Sequence, residues 1–187
     1  MEYRYGDDQE YVLMDGTNAY PKQELKGWRR HFILDKPVVT VVLDEIKTAS
    51  GALIESRIHP IGEVEVPDDH AYLLLKGRRG TMAMITATDA PVKYVPDRHS
   101  FRAEQKNARL RLIPYVDTEL NAATAETIIS TIVLPVADKT EARAVAESVE
   151  RSVDKDGGLT LSFIAKGRTH RYRYERDKDG LVLAPAN

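Results

Sequence analysis

The run Val38-Val39-Thr40-Val41-Val42-Leu43 constrains the fold more than any other stretch of the chain. Four of its six residues are valine and one is threonine. Branching at Cβ removes side-chain freedom in a helix and fits a pleated sheet, so the run reads as a strand. It has almost no polar alternation, which predicts a central strand buried on both faces. Other short runs repeat the pattern. Residues 10–14 end at the turn pair Asp15-Gly16, and residues 30–34 reach the next strand through Asp35-Lys36-Pro37. Residues 52–58, 62–66 and 127–134 read the same way. Residues 71–75 and 81–86 flank Lys76-Gly77-Arg78-Arg79-Gly80, whose two glycines predict a hairpin loop. Ala108, Leu110 and Leu112 alternate with Arg109 and Arg111, as on a strand with one solvated face. Residues 159–164 and 169–174 flank Lys166-Gly167-Arg168; the second run sets His170, Tyr172 and Tyr174 on one face, Arg171 and Arg173 on the other.

Residues 140–153 fit either a helix or an extra strand. Ala142, Val145, Val149 and Val153 are near helical spacing, yet Val145, Val149 and Val153 also fall on an alternating pattern. Alanine content favours the helix. The fold class expected is all-β: one antiparallel β-sandwich over residues 1–187, with about a dozen short strands, at most one short helix and a loose segment at 1–8.

Composition narrows the function classes. The 187 residues carry 27 Lys and Arg against 29 Asp and Glu, a formal charge of −2, so the basic footprint of a general nucleic-acid binder is missing. With no cysteine, disulfides and Cys-based metal or thiol chemistry are excluded. No apolar run approaches the ~18 residues of a membrane span. The acidic, tyrosine-rich start is the opposite of a signal peptide. A soluble globular domain is the expectation.

Few residues point to chemistry. His31, His59, His70, His99 and His170 form no H-x-H or H-E-x-x-H pair. A metal site would have to assemble in space, with His31 and His59 and a carboxylate such as Asp15 or Asp44 as the candidates; lone strand histidines more often serve structure. No nucleophile elbow, P-loop or dinucleotide fingerprint is present, and nothing calls for a cofactor. Arg78 and Arg79 in the glycine-flanked loop could hold a sulfate or uronate, against the plainer reading of a solvated hairpin. Arg171, Arg173 and Tyr172 could bind acidic sugar, the ring stacking on a pyranose and the guanidinium groups forking carboxylates. Trp28 reads as core packing.

One stretch goes further. Asp15-Gly16-Thr17-Asn18-Ala19-Tyr20, Trp28-Arg29-Arg30-His31-Phe32-Ile33-Leu34-Asp35-Lys36-Pro37 and Val41-Val42-Leu43-Asp44-Glu45-Ile46 together resemble the C-terminal β-sandwich of heparinase II/III-type polysaccharide lyases. The family has an aspartate-small-Thr-x-Ala-Tyr segment before an arginine-led strand, then a Lys-Pro turn and a V-V-x-D-x-hydrophobic strand. His59 also fits a histidine some fifteen residues on. The likeness is fair over residues 11–60, thin to residue 86 and architectural beyond.

The resemblance implies uronic-acid polysaccharides as substrate class and β-elimination as chemistry. A group neutralises the uronate carboxylate, a base takes the C5 proton and an acid protonates the leaving oxygen. The family carries most of that machinery in an N-terminal helical toroid and in an H-x-H-x-D segment, neither of which matches any position here. No catalytic residue carries over. Three functions remain open: an accessory, non-catalytic sandwich partnering a toroid in cis or in trans, a stand-alone module binding acidic polysaccharide, or a small metal-dependent lyase with a spatially assembled histidine site. The resemblance implies a periplasmic or extracellular location. Tyr20 and Trp28 are expected to pack on the sandwich, with Asp15 fixing the adjoining turn.

Overall fold

A computed structural model describes residues 1–21, 25–48, 52–101, 111–121 and 124–184, the side chains of 100, 101 and 111 excepted. Most of the alternating segment expected around Ala108 and Leu110 lies outside the described residues. The strands form three antiparallel sheets. The largest holds β1 (Glu2–Arg4), β2 (Gln9–Asp15), β3 (Leu25–Asp35), β4 (Val39–Thr48), β6 (Glu63–Glu65), β7 (Leu73–Gly77), β8 (Gly80–Ala87) and β11 (Glu126–Val136), in the order β1-β2-β3-β4-β11-β8-β7-β6. A three-stranded sheet joins β5 (Leu53–Ile58), β10 (Arg111–Asn121) and β9 (Val92–Phe101) in that order. The third runs β12 (Glu150–Val153), β13 (Leu159–Ala165), β14 (Arg168–Arg176) and β15 (Leu181–Leu183). One helix, α1 (Lys139–Glu147), precedes it. The fold class is the all-β sandwich expected from the sequence.

Two hydrophobic interfaces hold the layers. Val39, Val41 and Leu43 on one face of β4, with Ile33, Ile85, Ile132 and Leu134, pack on Leu159, Leu161, Phe163 and Leu181 of the four-stranded sheet. On the opposite side of the large sheet, Leu73 and Met84 meet Tyr94 and Val116, and Ile129 meets Ile54 and Leu120. Each large side chain buried this way contributes roughly 1.5–3 kcal/mol. The large sheet is therefore the middle layer of three, which explains why its strands read as apolar runs.

β4 is central, between β3 and β11. Its two faces differ: Val39, Val41 and Leu43 are fully buried, whereas Thr40 and Val42 are only half-buried. Val38 lies in the preceding turn and is exposed. The ambiguous 140–153 segment contains both alternatives, helix to Glu147 and strand from Glu150. Asp138 caps the helix by accepting the N–H groups of Thr140 and Glu141. Within residues 1–8, expected to be loose, Glu2–Arg4 form an edge strand paired with residues 11–13 of β2. None of their side chains is buried, so hydrophobic patterning carries no trace of the pairing.

Candidate functional site

The stretch from Asp15 to Asp44 builds a braced corner. Asp15 Oδ1 accepts the Thr17 N–H at 2.9 Å, closing the expected turn. Bonds from Thr17 hold the Asp15 carboxyl below the usual carboxylate range. Gly16 N–H donates to the Trp28 carbonyl at 2.8 Å, and Trp28 N–H donates to Thr17 Oγ1 at 3.1 Å. The indole lies against Gly16 so closely that an added Cβ would sit 2.3 Å from a ring carbon. Tyr20 meets Trp28 edge-on, centroids 5.8 Å apart. Asp44, on the central strand, accepts Trp28 Nε1 at 2.8 Å and is forked by Arg30 at 2.6 and 2.9 Å. The conspicuous V-V-x-D pattern thus positions a structural carboxylate.

An open cleft of ≈ 730 Å³ lies beside this corner, between β3, β4 and β5. Tyr20, Trp28, Arg30, Leu53 and Arg57 line it. Tyr20 is 51% exposed. Arg57 stacks over the Tyr115 ring at 3.9 Å and forks Asp117 at 2.8 and 2.7 Å, which orients its guanidinium. Its pairing with Asp117 drives its pKa further up, so the group stays a cation. Aromatic faces beside guanidinium groups suit a pyranose ring with acidic substituents. Sequence reasoning missed Arg57. Its outward position on β5 was readable, but its partner Asp117 is 60 residues away.

The histidines do not gather. His31 is fully buried between the large and four-stranded sheets. Its Nε2 donates to Glu45 Oε1 at 3.0 Å, and Tyr11 Oη donates to its Nδ1 at 2.9 Å. Glu45 also receives the Leu181 N–H at 3.0 and 2.9 Å, clamping β15 onto β4. Gly180 makes this approach feasible, since a Cβ there would fall 2.2 Å from Arg29 Nη1 and its φ is +137°. His59 lies on the other side of the large sheet, exposed, with Nδ1 3.3 Å from the Pro114 carbonyl. His31 and His59, weighed from the sequence as weak candidates for a metal site with Asp15 or Asp44, thus lie on opposite sides of the large sheet. Each has its own partners in a different layer, and among the described residues no three His, Asp or Glu side chains are grouped as for a metal ion. His59 neighbours His99 instead, ring centroids 5.3 Å apart.

The arginine candidates fall in separate places. Arg78 and Arg79 form the exposed tip between the paired Gly77 and Gly80 of the large sheet. Arg171 and Arg173 lie on the exposed face of β14. Tyr172 cannot join them in stacking on a sugar: it is 2% exposed on the opposite face, and its hydroxyl donates to Asp35 Oδ2 at 2.7 Å. Burial, then the Asp35 charge, push the Tyr172 phenol far up, so it stays a donor. His170 Nδ1 meets the same oxygen at 2.8 Å, and Arg168 reaches Oδ1 at 2.7 Å.

The chain is thus an all-β antiparallel sandwich with an aromatic- and arginine-lined cleft, its large and four-stranded sheets tied by Asp35 to His170 and Tyr172 and by Glu45 to Leu181. Solved structures show where this fold occurs. A heparinase III crystal structure matches with a TM-score of 0.67 at 15% identity, over 94% of this chain and 27% of that one. The heparan sulfate lyase HepC from Pedobacter heparinus matches with 0.66 at 14%, over 98% and 27%. A second heparinase III matches with 0.64 at 12%, over 93% and 27%. The chain therefore has the fold of a heparinase III portion and spans about a quarter of the length of those proteins. No protein-family model matches the chain, and no curated protein matches it in sequence.

Proposed function

We propose that the chain is an accessory, non-catalytic β-sandwich of a heparinase III-like polysaccharide lyase acting on uronic-acid polysaccharides. The carrying observation is the fold match along nearly the whole chain to about a quarter of each lyase. The engagement of its buried histidines supports the same reading. His31 is held by Tyr11 and Glu45 within the large sheet, and His170 by Asp35 across to the four-stranded sheet. Elimination needs a base and an acid within reach of one sugar, plus a partner for its carboxylate. Losing the positioning that a toroid supplies removes ~7–11 kcal/mol of barrier reduction, which leaves no measurable rate. The partner in this reading is the helical toroid of a lyase, in cis or in trans.

Elimination creates an ultraviolet-absorbing unsaturated uronate, which makes the test direct. The chain incubated with heparin, heparan sulfate or alginate is expected to release none. Product that accumulates and disappears in His59→Ala overturns the non-catalytic reading.

A second reading, direct binding of acidic polysaccharide, is favoured by the cleft beside Tyr20, Trp28 and Arg57. Retention on a polyuronate resin is expected to fade with added salt. Its loss in Tyr20→Ala and Arg57→Ala assigns the polymer to the cleft. Its loss in Arg78→Ala with Arg79→Ala, or in Arg171→Ala with Arg173→Ala, assigns it to the hairpin tip or to β14. Absence of retention at low salt rejects the binding reading and leaves the accessory role.

A further inference from the structure

We infer that a second cleft, where the end of β8 and the β8–β9 connection meet β12, is a binding site for a small oxyanion, a carboxylate or a sulfate group. The cleft encloses ≈ 420 Å³ and is lined by Arg151, His70, Thr86, Thr88, Asp69 and Asp89 among others. Buried polar atoms concentrate in its walls without partners. Arg151 Nε and Nη2 and the Thr88 hydroxyl have none, whereas the Thr86 hydroxyl bonds the Tyr94 phenol. A packing fold rarely leaves donors unmatched, because an unpaired buried polar group forfeits its hydration. Three at one cleft mark a place where an external acceptor belongs.

Arg151 carries the argument. Its side chain is only 8% exposed, and its Nη1 is bonded to the exposed Asp89. The unmatched Nε–Nη2 edge is the planar fork that takes two oxygens of a carboxylate or sulfate. His70 adds a third donor. Its Nδ1 accepts the Tyr94 N–H at 3.2 Å, so the neutral ring carries its proton on Nε2. A left-handed backbone, φ +51°, holds the residue there, a conformation uncommon outside glycine and found at sites where orientation matters. The Thr88 hydroxyl can donate as well. Asp69 is taken by Arg143 and one oxygen of Asp89 by Arg151 Nη1, and neither carboxylate reaches Arg151 Nε or Nη2. A set of unmatched donors without a matching acceptor selects a ligand made of acceptor oxygens. The inference is independent of the lyase reading, since it uses none of the residues of the Tyr20–Trp28 corner.

Titration of the whole chain with sodium glucuronate, sodium sulfate and sodium phosphate, at ionic strength balanced with chloride, tests the site. Amide and arginine side-chain NMR shifts at His70, Thr86, Thr88 and Arg151 are expected to move together and saturate. Saturation with glucuronate alone identifies a carboxylate site, with sulfate or phosphate alone a tetrahedral-anion site, and with all three an unselective oxyanion site. Arg151→Lys loses the fork and is expected to weaken binding about tenfold. Thr88→Val, which leaves the guanidinium in place, is expected to weaken it several-fold. Asp89→Asn removes the negative charge that competes for the guanidinium and is expected to tighten binding, an effect that a purely structural Arg151–Asp89 pair would not produce. Shifts that never saturate with any of the three anions, or saturation unchanged in both Arg151→Lys and Thr88→Val, overturn the inference.

Discussion

Asp35 shows how individual residues set the behaviour of this protein. Burial opposes its ionisation, yet Tyr172, His170 and Arg168 outweigh that and hold its carboxyl below the usual range. A carboxyl that titrates lower when folded stabilises the fold above its unfolded pKa of ~3.9 and loses that contribution as pH falls through the folded value. Asp35→Asn is therefore expected to lower stability at neutral pH and to flatten its decline below about pH 4, where the native carboxylate would protonate. Urea midpoints measured across that range check both features, and a decline of unchanged steepness refutes the assignment. Gly16 is a second case. Its φ of −106° suits any residue, so Gly16→Ala should cost only through the collision with Trp28. Overpacking of this kind costs about 1–3 kcal/mol, to be read as a lowered melting temperature with altered tryptophan fluorescence. The Asp15 turn was legible because its bond is local. The roles of Tyr172 and Arg57 were not, since their partners Asp35 and Asp117 are 137 and 60 residues away.

The element that sequence left undecided was the stretch from 140 to 153. Its valines satisfy both periods because the chain changes from helix to strand inside it, at Ser148. Local chemistry marks the helix start: Asp138 caps it, and Glu141 reaches back to accept the Ala137 N–H at 2.6 Å. Asp138→Ala is expected to cost about 1 kcal/mol, while Asp138→Asn retains most of the stability. Thermal melts of the two variants decide, and equal losses would show that the cap bond is not what matters. For β4, the run of β-branched residues determined strand and centrality. Burial on its second face depended on which sheets stack there, and Thr40 and Val42 are only partly covered.

At the scale of the whole molecule, three layers are joined by hydrophobic contact and by a few polar clamps. The clamp of His31, Glu45 and Leu181 crosses from the large sheet to the four-stranded one. His31→Ala removes one hydrogen-bond partner of a buried carboxylate, which costs roughly 1–3 kcal/mol. Amide exchange in β14 and β15 should accelerate more than in β7 and β8, and uniform acceleration would argue against a clamp local to the four-stranded sheet. By itself the sequence determined the all-β class, most strand positions and the Asp15 turn, because strand propensity, alternation and turn chemistry act between near neighbours. It also determined a resemblance to the lyase sandwich that the fold bears out. Only the tertiary structure decided that the sheets stack in three layers, that His31 and His59 lie apart, that Tyr172 is interior, and that Arg151 meets Thr86 and Thr88 at one cleft. Each of these depends on which distant strands become neighbours, and that follows from packing the whole set of apolar faces at once rather than from any local pattern.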